Sequence, residues 1–226
     1  MSRDTVINIQ DKTEASLKIT EIFYSLQGES RSSGFPTVFI RLTGCPLRCQ
    51  YCDTAYAFFG GTGMTVPAIL AKAGAYHAHY ITVTGGEPLA QKGCQVLLTA
   101  LCDAGYEVSL ETSGALDVSQ VDPRVIIVMD IKTPGSGEVD RNLYGNIGHL
   151  ERKDQIKFVL CDEHDYRWAK KIISDYKLMS ICEILFSPSY QQLKAVTLAD
   201  WILADRLPVR MQIQLHKYLW GNTPGK

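Results

Sequence analysis

The sequence predicts an α/β fold whose mostly parallel sheet forms a partial, open (β/α) barrel. Apolar segments of strand length alternate with segments of helix length along most of the chain. The chain has 226 residues, whereas a closed eight-fold barrel usually takes about 250. Polar and glycine-bearing motifs follow several of the apolar segments directly. Because ligands bind at the C-terminal ends of parallel strands, these motifs are expected to meet in one site.

The individual elements are predicted from hydrophobic patterning and from residues that start or stop an element. Residues 125–131 are almost continuously apolar, which is typical of a parallel strand covered on both faces. Thr65 as N-cap and Pro67 in the first turn start a helix, and Gly105 ends the next helix. Strands are expected at 18–25, 38–43, 80–84, 107–112, 125–131, 155–160, 182–187 and 210–214. Helices are expected at 65–74, 91–104, 163–176 and 193–205.

Composition indicates an ordinary globular chain and excludes several classes of partner. Residues 1–17 are polar and are expected to form a loosely ordered arm, and residues 18–226 a single domain. The net charge of −1 and the lack of basic runs argue against nucleic acid and membrane surfaces as partners. No stretch approaches the about 18 apolar residues of a membrane span. Seven cysteines, an odd number without a secretory signal, predict a reducing, cytoplasmic location.

The sequence Cys45-Pro-Leu-Arg-Cys49-Gln-Tyr-Cys52 places three thiols on one loop directly after a predicted strand. Thiolates this close can ligate one iron–sulfur cube, and three ligands leave one of its irons open for chemistry. Structural zinc normally takes four protein ligands, and the nearest downstream candidates are His77 and Cys94. The other cysteines, Cys94, Cys102, Cys161 and Cys182, lie in apolar segments and are expected to pack in the core.

A second motif, Thr84-Gly-Gly-Glu-Pro88, also follows a predicted strand. Two glycines allow a backbone to approach a ligand closely. Either the Glu87 carboxylate or a backbone carbonyl of this turn is suited to bind an ammonium group.

The cysteine spacing with Tyr51 before the last cysteine, together with Gly-Gly-Glu-Pro, resembles the radical S-adenosylmethionine (SAM) superfamily. The resemblance implies a 4Fe-4S cluster on Cys45, Cys49 and Cys52, with SAM bound to the open iron through its amino and carboxylate groups. It implies a barrel of the radical SAM type. Residues expected near SAM are Tyr51, Cys52, Asp53, Gly85, Gly86, Glu87, Ser113, Asp130, Lys132, Ser187 and Ser189.

Further motifs narrow this resemblance to the 7-carboxy-7-deazaguanine synthase family, over residues 18–220. They are Gln27-Gly-Glu29, Arg41-Leu-Thr-Gly-Cys45, Cys52-Asp-Thr54 and Gln214-Leu-His-Lys-Tyr-Leu219. The family is a group of lyases in queuosine and deazapurine biosynthesis, which supplies a tRNA modification. It contracts the ring of 6-carboxy-5,6,7,8-tetrahydropterin with loss of ammonia, after a 5′-deoxyadenosyl radical removes a substrate hydrogen.

The same resemblance implies the substrate contacts and partners of the chain. Substrate is expected at Leu26, Gln27, Gly28, Glu29, Arg41, Thr84 and His216. The hydroxyl of Thr54 is expected to bind Mg²⁺. An external one-electron reductant such as flavodoxin is implied, and the unpaired edges of a short barrel favour a homodimer.

Two alternatives stay open from the sequence. A glycyl-radical-enzyme activase shares the cysteine spacing and short architecture, but would not need the motifs at Gln27–Glu29 and His216. A non-catalytic iron–sulfur or zinc module would bind metal without cleaving SAM. Substrate assays separate the two enzymes, and metal analysis with SAM added separates an enzyme from the module.

Overall fold

The computed structural model describes residues 15–221 together with Thr223 and Gly225. In this part of the chain nine strands form one open sheet. The strands are β1 (Ser16–Leu26), β2 (Pro36–Leu42), β3 (Thr62–Thr65), β4 (Tyr80–Gly85), β5 (Glu107–Thr112), β6 (Ile126–Asp130), β7 (Gln155–Leu160), β8 (Glu183–Pro188) and β9 (Arg210–Met211). The α-helices are α1 (Val66–Gly74), α2 (Cys94–Asp103), α3 (Glu163–Asp175), α4 (Ala195–Asp205) and α5 (Leu215–Trp220).

The sheet has the order β3-β1-β2-β4-β5-β6-β7-β8-β9. All neighbouring pairs from β2 to β9 are parallel, and β1 runs antiparallel to both β2 and β3. The mostly parallel, open α/β sheet predicted from the sequence is therefore confirmed. None of the described helices is long and apolar enough to cross a lipid bilayer.

The hydrophobic core lies between the sheet and the helices in two clusters. The first includes Leu97 and Leu101 of α2 packed with strands β1, β2, β4 and β5. The second contains Phe158 of β7, Phe186 of β8 and residues of α3 and α4. The rings of Phe158 and Phe186 meet edge to face with centroids 5.7 Å apart, an arrangement that adds about 0.5–1.5 kcal/mol beyond burial. The opposite face of the sheet is left free to form a site.

Four elements differ from the sequence prediction. Strand β1 begins at Ser16, and Leu17 is buried in the core, so the last residues of the expected arm belong to the sheet; residues 1–14 lie outside the described part. Strand β3 was not predicted, because its short, exposed sequence shows no alternation. The strand expected at 210–214 consists of Arg210–Met211 alone, since Gln214 leaves the sheet to bond with Glu29 and Asp53. Helix α5, which was not predicted either, begins at Leu215.

The loops after β6 and β7 are tied together by the carboxylate of Asp165, which is completely buried in α3. It accepts hydrogen bonds from the hydroxyl of Thr133 at 2.9 Å, the amide of Gly135 at 2.8 Å and the amide of Cys161 at 2.9 Å. A buried carboxylate is tolerated only when such donors replace water. Asp165 therefore fixes two of the strand ends around which a site can form.

We predict that Asp165→Ala lowers the free energy of unfolding by about 3 kcal/mol or more, because each buried donor left unpaired costs about 1–3 kcal/mol. Chemical denaturation measured by circular dichroism checks this value. Asp162→Ala is the control. Asp162 is the exposed N-cap of the same helix, so its loss should cost only about 1 kcal/mol. Equal effects of the two changes would contradict the assigned role of Asp165.

Candidate active site

A cavity of about 420 Å³ lies on the sheet face opposite the helices. In β7, Lys157 and Val159 line this cavity, whereas Ile156, Phe158 and Leu160 pack in the core on the other face. The cavity extends from the loop between β1 and β2 to the turns that follow the parallel strands. It is therefore the meeting point that the parallel topology predicts.

Every predicted site residue except Glu87 lines this cavity. They come from the end of β1 and the β1–β2 loop, from β2 and the cysteine loop after it, from the ends of β4, β6 and β8, from the turns after β4, β5, β6 and β8, and from the C-terminal segment. They are Leu26, Gln27, Gly28, Glu29, Arg41, Cys45, Cys49, Tyr51, Cys52, Asp53, Thr54, Thr84, Gly85, Gly86, Ser113, Asp130, Lys132, Ser187, Ser189 and His216.

The cysteine loop (residues 45–52) carries three free, half-buried thiols. Burial raises the pKa of Cys45, and raises that of Cys49 to about 11. The loop is held by Arg48, whose guanidinium donates to the carbonyls of Cys45 at 2.8 Å and Leu47 at 2.6 Å. The same guanidinium lies 4.2 Å from the ring centroid of Phe58, a favourable cation–π distance. The loop conformation is thus fixed by its own side chains.

The turn after β4 packs directly against the cysteine loop. A Cβ atom on Gly86 would lie 2.6 Å from the Cβ of Cys45 and closer still to the carbonyl oxygen of Gly44, so only glycine fits. On Gly85 an added Cβ would lie 2.6 Å from the carbonyl oxygen of Leu42. The two glycines are therefore required for close packing of this turn.

The side chain of Glu87 has a different role from the one predicted. It is completely buried, outside the cavity lining. Its carboxylate accepts hydrogen bonds from the amides of Leu89 at 3.0 Å and Ser113 at 2.7 Å, and from the hydroxyls of Thr112 and Ser113. With these donors in place, the prediction that the carboxylate binds an ammonium group is not supported. The backbone of Gly85 and Gly86 remains available to a ligand.

The side chain of Gln27, predicted to read the substrate, also faces its own protein. Its amide nitrogen donates to Glu111 at 3.2 Å and to Thr82 at 3.0 Å, and its oxygen accepts from the amide of Glu29 at 3.1 Å. The hydroxyl of Thr84 donates to Glu111 at 3.0 Å. Since a hydroxyl has one hydrogen, Thr84 can offer a ligand only an acceptor. Glu111, which was not among the predicted site residues, lies in β5 and lines the cavity.

Charged side chains form pairs across the cavity wall. Arg41 donates from Nε to Glu21 at 2.7 Å, and its guanidinium carbon lies 5.9 Å from the ring centroid of Phe23. Asp130 accepts from Lys132 at 3.0 Å. Lys157, a further residue that sequence analysis missed, lies 2.8 Å from Glu29 and 3.7 Å from Asp130. The sequence signal for Lys157 is a charged residue among the apolar residues Ile156, Phe158, Val159 and Leu160 of β7.

The C-terminal segment closes one side of the cavity. Gln214 donates to Glu29 at 3.0 Å and to Asp53 at 3.3 Å, and Lys217 lies 3.6 Å from Asp53. A Cβ on Gly28 would lie 2.6 Å from Nδ1 of His216, so the β1–β2 loop touches α5 directly. Asp53, predicted to contact SAM, thus connects the cysteine loop to the C-terminal segment. Its other carboxylate oxygen accepts the Thr54 hydroxyl at 2.8 Å.

Comparison with known proteins identifies the family. The sequence profile of the Radical SAM superfamily matches residues 39–129. The 7-carboxy-7-deazaguanine synthase of Chlorobaculum tepidum is 49% identical, over 92% of this chain and 96% of its own. The chain belongs to the 7-carboxy-7-deazaguanine synthase family. The 7-carboxy-7-deazaguanine synthase of Methanospirillum hungatei is 42% identical, over 91% of this chain and 86% of its own.

A solved structure supports the fold of this synthase family member. The crystal structure of QueE from Escherichia coli aligns with a TM-score of 0.78, covering 94% of this chain and all of that one, at 22% identity. The predictions of the family, the fold class and a radical SAM lyase are confirmed. Nothing in the comparisons favours the activase or the non-catalytic module.

Membership in the radical SAM superfamily implies a 4Fe-4S cluster, and the cysteine geometry fits one. In the described residues, the one group of three His, Cys, Asp or Glu ligand atoms within 4.8 Å of one another is Asp162, His164 and Asp165. Cys45, Cys49 and Cys52 form no such group, so at least two of their sulfurs lie more than 4.8 Å apart. Two sulfurs bound to one zinc ion at about 2.3 Å lie at most about 4.6 Å apart. The wider spacing suits separate corners of a cube.

The cavity also fits the SAM that the superfamily implies. Two polar atoms on its wall, the Tyr51 hydroxyl and Oδ1 of Asp130, are buried without a hydrogen-bond partner in the described part of the chain. Such atoms cost about 1–3 kcal/mol each when unpaired. Tyr51 belongs to the cysteine loop and Asp130 lies within electrostatic range of Cys49, so a polar ligand beside this loop would satisfy both atoms.

We predict that Cys49→Ala abolishes reductive cleavage of SAM, because the cluster loses one of three ligands. Cys94→Ala should retain cleavage, since Cys94 is completely buried in α2 and lies in the core. Anaerobic assays of 5′-deoxyadenosine formation, with iron and sulfide content, check both. Full activity in Cys49→Ala would refute the cluster assignment.

Proposed function

We propose that the chain converts 6-carboxy-5,6,7,8-tetrahydropterin to 7-carboxy-7-deazaguanine by ring contraction with loss of ammonia, in queuosine and deazapurine biosynthesis. The observation that carries this proposal is the convergence of the family motifs on one cavity. The residues from Gln27–Glu29, the cysteine loop and His216 come from distant parts of the chain and line the same wall. The volume of about 420 Å³ is in the usual range for a small-molecule site.

The cysteine loop would hold the cluster, and the turns after β4, β5, β6 and β8 would hold SAM. When bound, these cofactors supply a carbon radical that abstracts hydrogen from the substrate. Burial lowers the pKa of the Lys132 ammonium group, but attraction and a hydrogen bond from Asp130 help to raise that pKa overall, so Lys132 keeps its charge. Lys132 can therefore bind an anionic group of SAM or screen Asp130 from it. Ser187 and Ser189 are both buried and line the half of the cavity proposed to hold SAM.

The other half of the cavity suits a pterin. Pterin rings present several N–H donors, and Glu29, Glu111 and the oxygen of Thr84 supply acceptors around the wall. Arg41 supplies a guanidinium for the substrate carboxylate, since planar forks bind carboxylates well. The segment from Gln214 to Lys217 covers this half and excludes water from the reacting carbon.

Thr54 is proposed to bind Mg²⁺ together with the substrate carboxylate. Its hydroxyl donates to Asp53 at 2.8 Å, which leaves the oxygen free to accept a cation. The Asp53 carboxylate adds negative charge beside it. Mg²⁺ commonly takes few protein ligands and completes its octahedron with water and substrate oxygens.

The remaining parts of the proposal concern partners. A flavodoxin-like one-electron donor would reduce the cluster, and a cytoplasmic location is proposed because seven cysteines suit a reducing compartment. The sheet ends at β3 on one edge and at the two-residue β9 on the other. Because exposed strand edges are commonly covered, we propose a homodimer.

The direct test of the proposed function is anaerobic incubation of reconstituted, reduced protein with SAM and the tetrahydropterin. Mass spectrometry should detect 7-carboxy-7-deazaguanine, and an ammonia assay should find an equal amount of ammonia. About four irons and four sulfides per chain are expected after reconstitution. Cleavage of SAM without consumption of the pterin would overturn the substrate assignment and leave the superfamily assignment intact.

We predict that Thr54→Ala weakens activation by Mg²⁺ and raises the KM for the pterin, while SAM binding stays close to wild type. The physical reason is that metal and substrate would complete each other's binding sites, so that their affinities are coupled. Initial rates against Mg²⁺ concentration measure this effect. Thr54→Ser, which keeps the hydroxyl, is the control. Loss of SAM affinity with unchanged Mg²⁺ activation would show that Thr54 serves SAM.

The dimer is checked by light scattering coupled to size exclusion at micromolar concentration. The expected mass is twice the 25.1 kDa of one chain. A monomer across the micromolar range would contradict the proposal.

A further inference from the structure

We propose that Lys157 is a positioning residue, which holds the Glu29 carboxylate charged and in place against the N–H edge of the pterin. This inference rests on the proposed function for the identity of the ligand. It assigns to Lys157 a role that none of the sequence motifs includes. The supporting observations are the placement of Lys157 in β7, its two carboxylate partners and its position between the two halves of the cavity.

Lys157 occupies a position in the sheet where a cation is costly. Its strand neighbours Ile156 and Phe158 are completely buried on the helix side, and Lys157 projects to the cavity side with only 13% of its side chain exposed. Removing an ammonium group from water is unfavourable unless carboxylates replace the solvent. A lysine in this position therefore indicates a specific demand for positive charge at the cavity wall.

Two carboxylates from different parts of the chain meet that demand. Glu29, in the β1–β2 loop, accepts from the ammonium group at 2.8 Å. Asp130 lies beside Lys157 in the parallel register of β6 and β7, with an oxygen 3.7 Å from the ammonium nitrogen. That same Asp130 oxygen pairs with Lys132 at 3.0 Å. Lys157 thus stands between Glu29 on the substrate side and Asp130 on the SAM side.

The ion pair leaves Glu29 able to serve a ligand. One Glu29 oxygen binds Lys157, and the other accepts from Gln214 at 3.0 Å. Each carboxylate oxygen has two lone pairs, so both can still accept from a substrate N–H. Fixed between donors on two sides, the carboxylate keeps one orientation. Preorganisation of this kind strengthens binding because less freedom is lost when the ligand arrives.

The charge state of Glu29 depends on the same contact. Burial by itself raises the pKa of Glu29, but attraction and hydrogen bonding from Lys157, with a hydrogen bond from Gln214, outweigh burial and lower that pKa. Asp53 is the other charged group that acts on Glu29, and it opposes the lowering. Asp130 and Glu111 lie beyond Lys157 and help to keep its ammonium group charged.

The test compares Lys157→Met with Glu29→Gln and the double variant in the reconstituted protein. Lys157→Met should raise the KM for the tetrahydropterin roughly ten- to hundredfold, with a much smaller change in kcat. Formation of 5′-deoxyadenosine without pterin, measured in each variant, reports separately on the SAM side of the cavity, where Lys157 lies 3.7 Å from Asp130. If Lys157 acts through Glu29, adding Lys157→Met to Glu29→Gln should raise KM little further. Lys72→Met, which removes an exposed lysine in α1, is the matched control.

The pH profile separates positioning from a general loss of structure. Glu29 with its lowered pKa is charged throughout the neutral range, so the wild-type KM should be flat there. In Lys157→Met, burial raises the pKa of Glu29, and KM should climb as pH falls through that raised pKa. Lys157→Arg keeps the charge and should restore the flat profile. A second readout needs no substrate: carbon-13 NMR titration of the Glu29 carboxyl, assigned with Glu29→Gln.

Each outcome decides the proposal. The proposal is overturned if Lys157→Met has a KM within twofold of wild type. It is also overturned if the increases in KM of the two single variants multiply in the double variant, or if the pKa of Glu29 is the same in Lys157→Met as in wild type. If Lys157→Met does not fold, Lys157→Gln and Lys157→Arg carry the same comparison. If wild type cleaves SAM but leaves the pterin unchanged, the proposed function fails. The NMR titration then still decides whether Lys157 holds Glu29 charged.

Discussion

The arrangement of the cavity depends on the buried carboxylate of Glu87. It binds the amides and hydroxyls of the turns after β4 and β5, and so fixes these two turns to each other. Gly86, one residue before it, packs without space against Cys45. The cysteine loop is therefore positioned relative to the strand ends by a carboxylate that no ligand needs to touch. Four donors within the protein replace the water that a buried carboxylate would lose, and the Lys132 ammonium group adds electrostatic attraction.

Much of the fold could be predicted because local sequence and long-range topology agree. Strands β5 and β7 have the residues expected from their apolar runs, 107–112 and 155–160. Placing the site required no more than the rule that parallel strands end at one edge. The predicted site residues lie at or near the ends of different strands, and all but Glu87 line one cavity. Patterns of this kind depend only on short stretches of sequence, and they can therefore be recognised without a structure.

What the sequence could not show is the direction in which each side chain points. Gln27 and Glu87 belong to recognisable motifs, yet both direct their polar atoms into the protein. Their orientation is decided by partners far along the chain, such as Glu111, which is 84 residues from Gln27. The role of Lys157 could not be predicted for the same reason, because its contact with Glu29 joins positions 128 residues apart along the chain. Short or exposed elements such as β3 and α5 escaped prediction since they lack an apolar pattern.

The C-terminal helix α5 has a consequence for how the cavity exchanges its contents. None of its residues is fully buried, whereas the sheet beneath it carries two large apolar clusters. Segments with little buried apolar surface open locally at a small fraction of the free energy of global unfolding. Release of Gln214 would free Glu29 and Asp53 from the same amide group at once. Local opening of this segment would expose the cavity on the side that Gln214 closes, and the contacts with Glu29 and Asp53 would form again when the segment returns.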